Sequence, residues 1–113
     1  MAKSRIPDPI QRRHWLERPL DPVRARAVAD AYLEQGRHAE AVAFLEKADA
    51  TDALEKLAAE ATARGDAFLL KQVCSALGRE PSSEEWGATA SAAEAAGLLR
   101  YASTARRQAS GED

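Results

Sequence analysis

The side chains able to do chemistry are few in these 113 residues, and they stand apart from one another. Cys74 is the one cysteine. It lies beside Val73 and one helical turn from Leu70 and Leu77, the setting of an inert buried thiol; a reactive one needs exposure and a positive neighbourhood. His14 falls in an arginine-rich helix start and His38 next to a turn glycine, and both read as surface histidines. One cysteine and two histidines do not make a metal cage. Carboxylates are abundant, but Glu84-Glu85, Asp49 with Asp52, and Asp30 with Glu34 fall where helix N-terminal turns and solvated faces favour them. Paired-carboxylate catalysis would need such groups sunk in a cleft with shifted pKa values. Every glycine except Gly87 and Gly111 stands near a helix end, so no loop cradles phosphate. The expectation is no catalytic residue, no metal, no cofactor and no enzyme activity.

Charge offers a second kind of chemistry. Residues 1–26 carry a net +4, residues 27–96 a net −7 and the remainder +1, so a basic arm precedes an acidic body under an overall charge of −2. Arg12, Arg13 and Arg18, with Lys3 and Arg5 before them and His14 and Trp15 interleaved, have the residue types that contact a phosphate backbone. Scattered cations without a reading helix are weak evidence for that, and the acidic body would repel nucleic acid, so the simpler expectation is an arm docked on its own body. Trp15 has no partner within its own short helix; it is expected to cover the open end of the hairpin that follows, with reaching into another molecule as the alternative.

The elements that position these groups are helical. Alanine is over-represented while β-branched and aromatic residues are sparse, which favours helix over sheet. The lone cysteine makes a reducing compartment the default. Met1 to Leu20 has no apolar run of a secretory signal, and no stretch approaches a membrane span; a cytoplasmic protein is expected.

Asp8-Pro9 and Asp21-Pro22 each pair an N-cap with a proline at the first helical position. The first opens a short helix to about Glu17, stopped by Pro19. The second opens a helix to Gln35 in which Ala25, Val28, Ala29 and Tyr32 recur at helical spacing and Leu33 widens the face. Gly36 ends it, and a helix from His38 to Ala48 follows on Ala41, Phe44, Leu45 and Ala48. So short a turn allows only an antiparallel hairpin.

The plan recurs. Asp52 and Glu55 have capping-box spacing before the stripe Leu54, Leu57, Ala58 and Ala61, which ends at Gly65. Asp66 caps a helix bearing Phe68, Leu69, Leu70, Val73, Cys74 and Leu77, closed by Gly78 and broken by Pro81. Ser82 and Glu85 box the next helix, with Trp86, Ala90 and Ala93 facing inward up to Gly97. Leu98, Tyr101, Ala102, Ala105 and Ala109 then line the last helix, and residues 110–113 are expected to be a disordered tail. The turn glycines Gly36, Gly65 and Gly97 lie 29 and 32 residues apart. Helices this short are marginal alone, since isolated ones begin to hold at roughly 12–15 residues, so each hairpin must bury its stripe on a neighbour.

In the first unit Ala29, Tyr32, Gly36, Ala41, Phe44 and Ala48 run in the small–aromatic–glycine–alanine–aromatic–alanine order of the tetratricopeptide repeat, which the chain resembles over about residues 22–109. The third unit keeps Trp86, Ala90, Gly97, Ala102 and Ala109; the second keeps Leu54, Leu57, Ala58, Gly65 and Leu77 but has Leu70 and Cys74 where alanine and an aromatic are usual. The units, about 22–48, 52–77 and 83–109, are shorter than the usual repeat of about 34 residues, and only Pro81 approximates the proline that closes one.

The resemblance implies an all-α, right-handed solenoid of three helix–turn–helix hairpins behind a basic arm of residues 1–20. It implies a scaffold that holds a peptide or protein on the inner face of the first helix of each pair. Off the core, that face would offer Arg26, Asp30, Leu33 and Glu34, then Glu55, Ala59 and Thr62, then Ser91 and Glu94. The set is acidic and lacks the Lys/Asn clamp for a C-terminal carboxylate, so a basic or mixed-charge segment is the expected ligand. The expected function is a non-enzymatic adaptor, monomeric or weakly dimeric. Association with nucleic acid through the arm, and a structural self-assembling role, are the alternatives.

Overall fold

The computed structural model describes residues 6–111; the first five residues, including Lys3 and Arg5 of the arm, and the last two of the expected tail lie outside them. Among the described residues the chain is all-α, with seven helices and no strand: α1 (Pro9–Glu17), α2 (Pro22–Glu34), α3 (His38–Lys47), α4 (Thr51–Arg64), α5 (Ala67–Leu77), α6 (Ser83–Ala95) and α7 (Leu99–Ala109). Contacts divide the chain into two units between Leu54 and Glu55, within α4.

In the first unit the cap chemistry works as the residue types require. Asp8 accepts from the Gln11 N–H at 2.8 Å and Asp21 from the Val23 N–H at 3.4 Å, each with proline in the first turn. Helices α2 and α3 then form a hairpin whose seam is small on both sides: Ala25, Ala29 and Ala41 are fully buried. That close approach lets Tyr32 and Phe44, also fully buried, stack with centroids 5.8 Å apart. Val28, Val42, Leu45, Ala50 and Leu54 complete this core.

The turn after α3 has no glycine. Asp49 takes the left-handed conformation (φ 54°), and the Ala50 N–H returns to the Leu45 carbonyl at 3.0 Å. This closure starts α4 at Thr51, so Asp52 lies inside its first turn rather than at an N-cap, and the capping box expected of Asp52 and Glu55 does not form. The Glu55 carboxylate binds Arg79 instead, at 3.2 Å.

In the second unit Leu57, Ala58, Ala61, Leu69, Leu70, Val73, Cys74, Trp86, Ala90 and Ala93 are buried, as their spacing predicts. Thr89 joins them, its hydroxyl satisfied by the Glu85 carbonyl one turn back at 2.7 Å. The box at Ser82 and Glu85 is present in both directions. Helices α6 and α7 make a close hairpin on Ala93, Ala102 and Ala105. Two expected core residues are exposed: Phe68 is 67% exposed, its ring edge-on to Tyr101 at 5.1 Å, and Leu98 is 41% exposed at the N-cap of α7; Leu77, Tyr101 and Ala109 are half-buried. At the other end of α7, Ser110 and Gly111 close the helix, their N–H groups bonded to Arg106 and Gln108 carbonyls at 3.1 Å, so these two residues of the expected tail belong to the fold.

Gly65 is the tightest point. Its φ of +73° is a left-handed cap, and it is buried against the backbone of α6, where an added Cβ would come within 2.6 Å of the Ala93 Cα. Gly36 has the same φ, +72°, and open space around it. We expect Gly36→Ala to cost about 1–2 kcal/mol, the left-handed penalty alone. Gly65→Ala adds overpacking of about 1–3 kcal/mol to that penalty. Urea denaturation of the two variants checks the order; equal losses would mean that the approach of α6 does not constrain the turn.

Candidate interaction surfaces

In the described part of the basic arm Arg12 and Trp15 are half-buried, while Arg13, His14 and Arg18 are exposed. Arg12 lies over the Tyr32–Phe44 pair, its guanidinium carbon 5.9 and 5.7 Å from the two ring centroids, and it donates to the Glu40 carbonyl at 3.3 Å. Arg37 stacks on the same tyrosine at 4.9 Å and holds the Glu40 carboxylate through two contacts of 2.6 and 2.7 Å. That hydrogen-bonded pair raises the pKa of Arg37 and lowers that of Glu40. Trp15, half-buried, has Arg24 over its ring at 5.8 Å, and Lys47 of α3 donates to the Arg18 carbonyl at 2.9 Å. Arg13 is exposed and pairs with Glu17 on its own helix at 2.9 Å. Arg12, Trp15 and the Arg18 carbonyl thus join this segment to the first hairpin through ring contacts and carbonyl hydrogen bonds, not through ion pairs with the hairpin's carboxylates, while Arg13 pairs within α1. The Tyr32 hydroxyl and Arg12 Nε are buried without a hydrogen-bond partner among the described residues.

The first-helix residues expected to meet a ligand are on exposed or half-buried positions in each unit. In the first, Arg26 is drawn between Asp30 at 3.4 Å and Asp52 at 3.7 Å; Leu33 is half-buried, and Glu34 is exposed with no ion-pair partner among the described residues. In the second, Glu55 is held by Arg79 and Glu94 by Arg106, the latter at 2.7 Å. Thr62 turns its hydroxyl back to the Ala58 carbonyl at 2.9 Å, while Ala59 and Ser91 are exposed. Only Glu34 thus keeps an uncommitted carboxylate, and the acidity expected from these residue types is largely neutralised by neighbouring arginines.

Arg79 is the polar hub that spacing could not reveal, because its partners are 24 and 6 residues away. It bonds Glu55 and, at 2.8 and 3.2 Å, both oxygens of Glu85, which also caps Ser82. The hydrogen bonds to Glu85 push the Arg79 pKa up, and the same contact holds the Glu85 carboxyl below the usual glutamate range. The hub borders a cleft of about 290 Å³ lined by Lys71, Ser75, Gly78, Arg79, Glu80 and Pro81. The cleft holds neither His14 nor His38. Burial pushes the Cys74 thiol up, opposite to what a nucleophile needs. No group of three or more His, Cys, Asp or Glu side chains is placed to hold a metal among the described residues, and no helix there is long and apolar enough to cross a membrane.

Comparison of the chain with protein-family models, with curated proteins and with solved structures gives no significant match.

Two measurements follow from these contacts. Arg12→Ala removes both ring contacts and one hydrogen bond and should cost about 1–2 kcal/mol, whereas Tyr32→Phe removes a buried hydroxyl that has no partner and should cost nothing or add up to about 1 kcal/mol. Equal destabilisation by both in denaturant would show that the hydroxyl is satisfied. Because Glu85 has a depressed pKa in the folded chain, its contribution is complete above the ordinary glutamate value of about 4.3 and is lost as pH falls through the lower folded value. Glu85→Gln should therefore flatten the fall in stability below about pH 4; an unchanged slope would remove Glu85 from the acid transition.

Proposed function

We propose that this protein is a small, non-enzymatic interaction module of the tetratricopeptide-like kind, a stack of helical hairpins that presents the first helix of each pair to a protein or peptide partner. The observation that carries the reading is the α2–α3 hairpin. Ala29 and Ala41 are fully buried at its seam, and Tyr32 and Phe44 stack behind a left-handed Gly36, which supports the repeat-like order at five of its six residues; the sixth, Ala48, is the half-buried C-cap of α3. The short, glycine-turned α6–α7 pair on Ala93, Ala102 and Ala105 supports it in the second unit.

The chemistry presented on α2 is mixed. Arg26, Asp30 and Glu34 recur at four-residue spacing on one stripe, flanked by the half-buried Leu33. A segment of basic or mixed charge with one aliphatic side chain suits that stripe, the aliphatic group packing on Leu33 and a cation meeting Glu34. Exposed pairs contribute little to stability, so the stripe can change partners without unfolding the hairpin.

An affinity pull-down from the source cell's lysate, read by mass spectrometry, tests the proposal. It compares the natural chain with an Arg26→Ala, Asp30→Ala, Glu34→Ala variant of unchanged circular dichroism. A protein retained by the natural chain and lost by the variant is the expected result. Retention by both would move the contact off α2, and loss of the bound material on nuclease treatment would favour nucleic-acid association through the arm.

A further inference from the structure

The second unit segregates its charge by helix. From Glu55 onward, α4 and α6 carry five carboxylates and two cations; α5 and α7 carry four cations, Lys71, Arg100, Arg106 and Arg107, and no carboxylate. Of these four, Arg106 is engaged by Glu94, whereas Lys71, Arg100 and Arg107 have no ion-pair partner among the described residues.

The same two helices hold the unit's exposed aromatic surface. Phe68 is 67% exposed on α5, and its ring meets Tyr101 of α7, with Leu98 a turn earlier and 41% exposed. Phe68, Lys71 and Ser75 recur at i, i+3 and i+7, so one solvent-facing stripe of α5 runs about 10 Å from the aromatic pair into the cleft. Within the cleft Arg79 is already engaged by Glu55 and Glu85, which leaves Lys71 as the lining cation, and Glu80 as the lining carboxylate, without an ion-pair partner among the described residues.

We propose that the α5–α7 face is a second docking surface, distinct from the stripe on α2, and that its occupant is a short acidic peptide segment with an aromatic or aliphatic anchor. The anchor packs on Phe68, Tyr101 and Leu98, and its carboxylates meet Lys71 and Arg100, with backbone entering the cleft between α5 and Pro81. The charge of the surface selects the sign of the ligand. The edge-on ring pair supplies the apolar contact at low entropic cost, since an aromatic side chain has only two rotatable angles to fix. An extended polyanion fits less well, because α4 and α6 place five carboxylates in the same unit.

Selection of a random peptide display library on the immobilised full chain tests this whatever the natural partner is. We expect the enriched peptides to be net negative with at least one large apolar residue. A fluorescein-labelled representative should lose about tenfold or more in affinity on either Phe68→Ser or Lys71→Glu, and should weaken as salt is raised. The Lys71→Glu variant leaves the ring pair in place and so separates charge from packing. The Arg26→Ala, Asp30→Ala, Glu34→Ala variant should bind the peptide unchanged, which keeps this result independent of the α2 reading. No enrichment, enrichment of basic or neutral peptides, or indifference to both substitutions would overturn the proposal. So would a natural chain that sediments as a dimer and becomes a monomer with Phe68→Ser, since the face would then serve a second copy. Binding to phosphatidylserine vesicles or single-stranded DNA, in place of peptide and lost by the same variants, would overturn it as well.

Discussion

A helix of nine to fourteen residues does not hold in water by itself, and every helix described in this chain falls in that range. Each must bury a face on a neighbour within the next few residues of sequence, and the chain meets that constraint with alanine. At the α2–α3 and α6–α7 seams the buried positions are small, so helix backbones approach closely and the few large side chains fill what remains. The left-handed caps make the reversal short enough for the two stripes to face one another. Gly65 carries this furthest, since there the turn itself is part of the packed interior. Once pairing is this close, long polar side chains have room only at the edges, and there Arg12, Arg37 and Arg79 join elements.

What could be read from the residues follows from how far each determinant reaches. Asp8-Pro9, Asp21-Pro22 and Ser82 with Glu85 are closed within three residues, and the observed helices begin where those signals place them. The apolar stripes depend on one turn of helix, and Tyr32, Phe44, Leu57, Leu70 and Trp86 are buried accordingly. Asp52 with Glu55 has the same spacing as a box and does not act as one. The helix start is set by the left-handed Asp49 behind it, and the Glu55 carboxylate is taken by an arginine 24 residues on. Phe68 misleads for a related reason: its neighbours Leu69 and Leu70 already fill the buried face of α5, and its own position is on the opposite side. Of the candidate surface, positions on helices were legible, but the ion pairs that consume Arg26, Glu55 and Glu94 were not, since each depends on which helix lies alongside.

The described arm shows how a charge surplus can be spent inside a molecule. Arg12 is committed to two rings and a carbonyl, Arg13 to Glu17, Arg24 to Trp15 and Arg26 to two aspartates. A phosphate backbone binds by displacing counterions from exposed cations, and a cation already engaged has to give up its partner first. Of the described arm residues Arg18 alone offers an uncommitted guanidinium, and its carbonyl is held by Lys47. The positive charge left uncommitted is therefore found mainly elsewhere, on α5 and α7. The net charge of a segment counts groups and not their availability. In the described arm four of five arginines are engaged, and the cations without an ion-pair partner on α5 and α7 belong to stretches whose net charge, −7 over residues 27–96 and +1 after them, gives no sign of them.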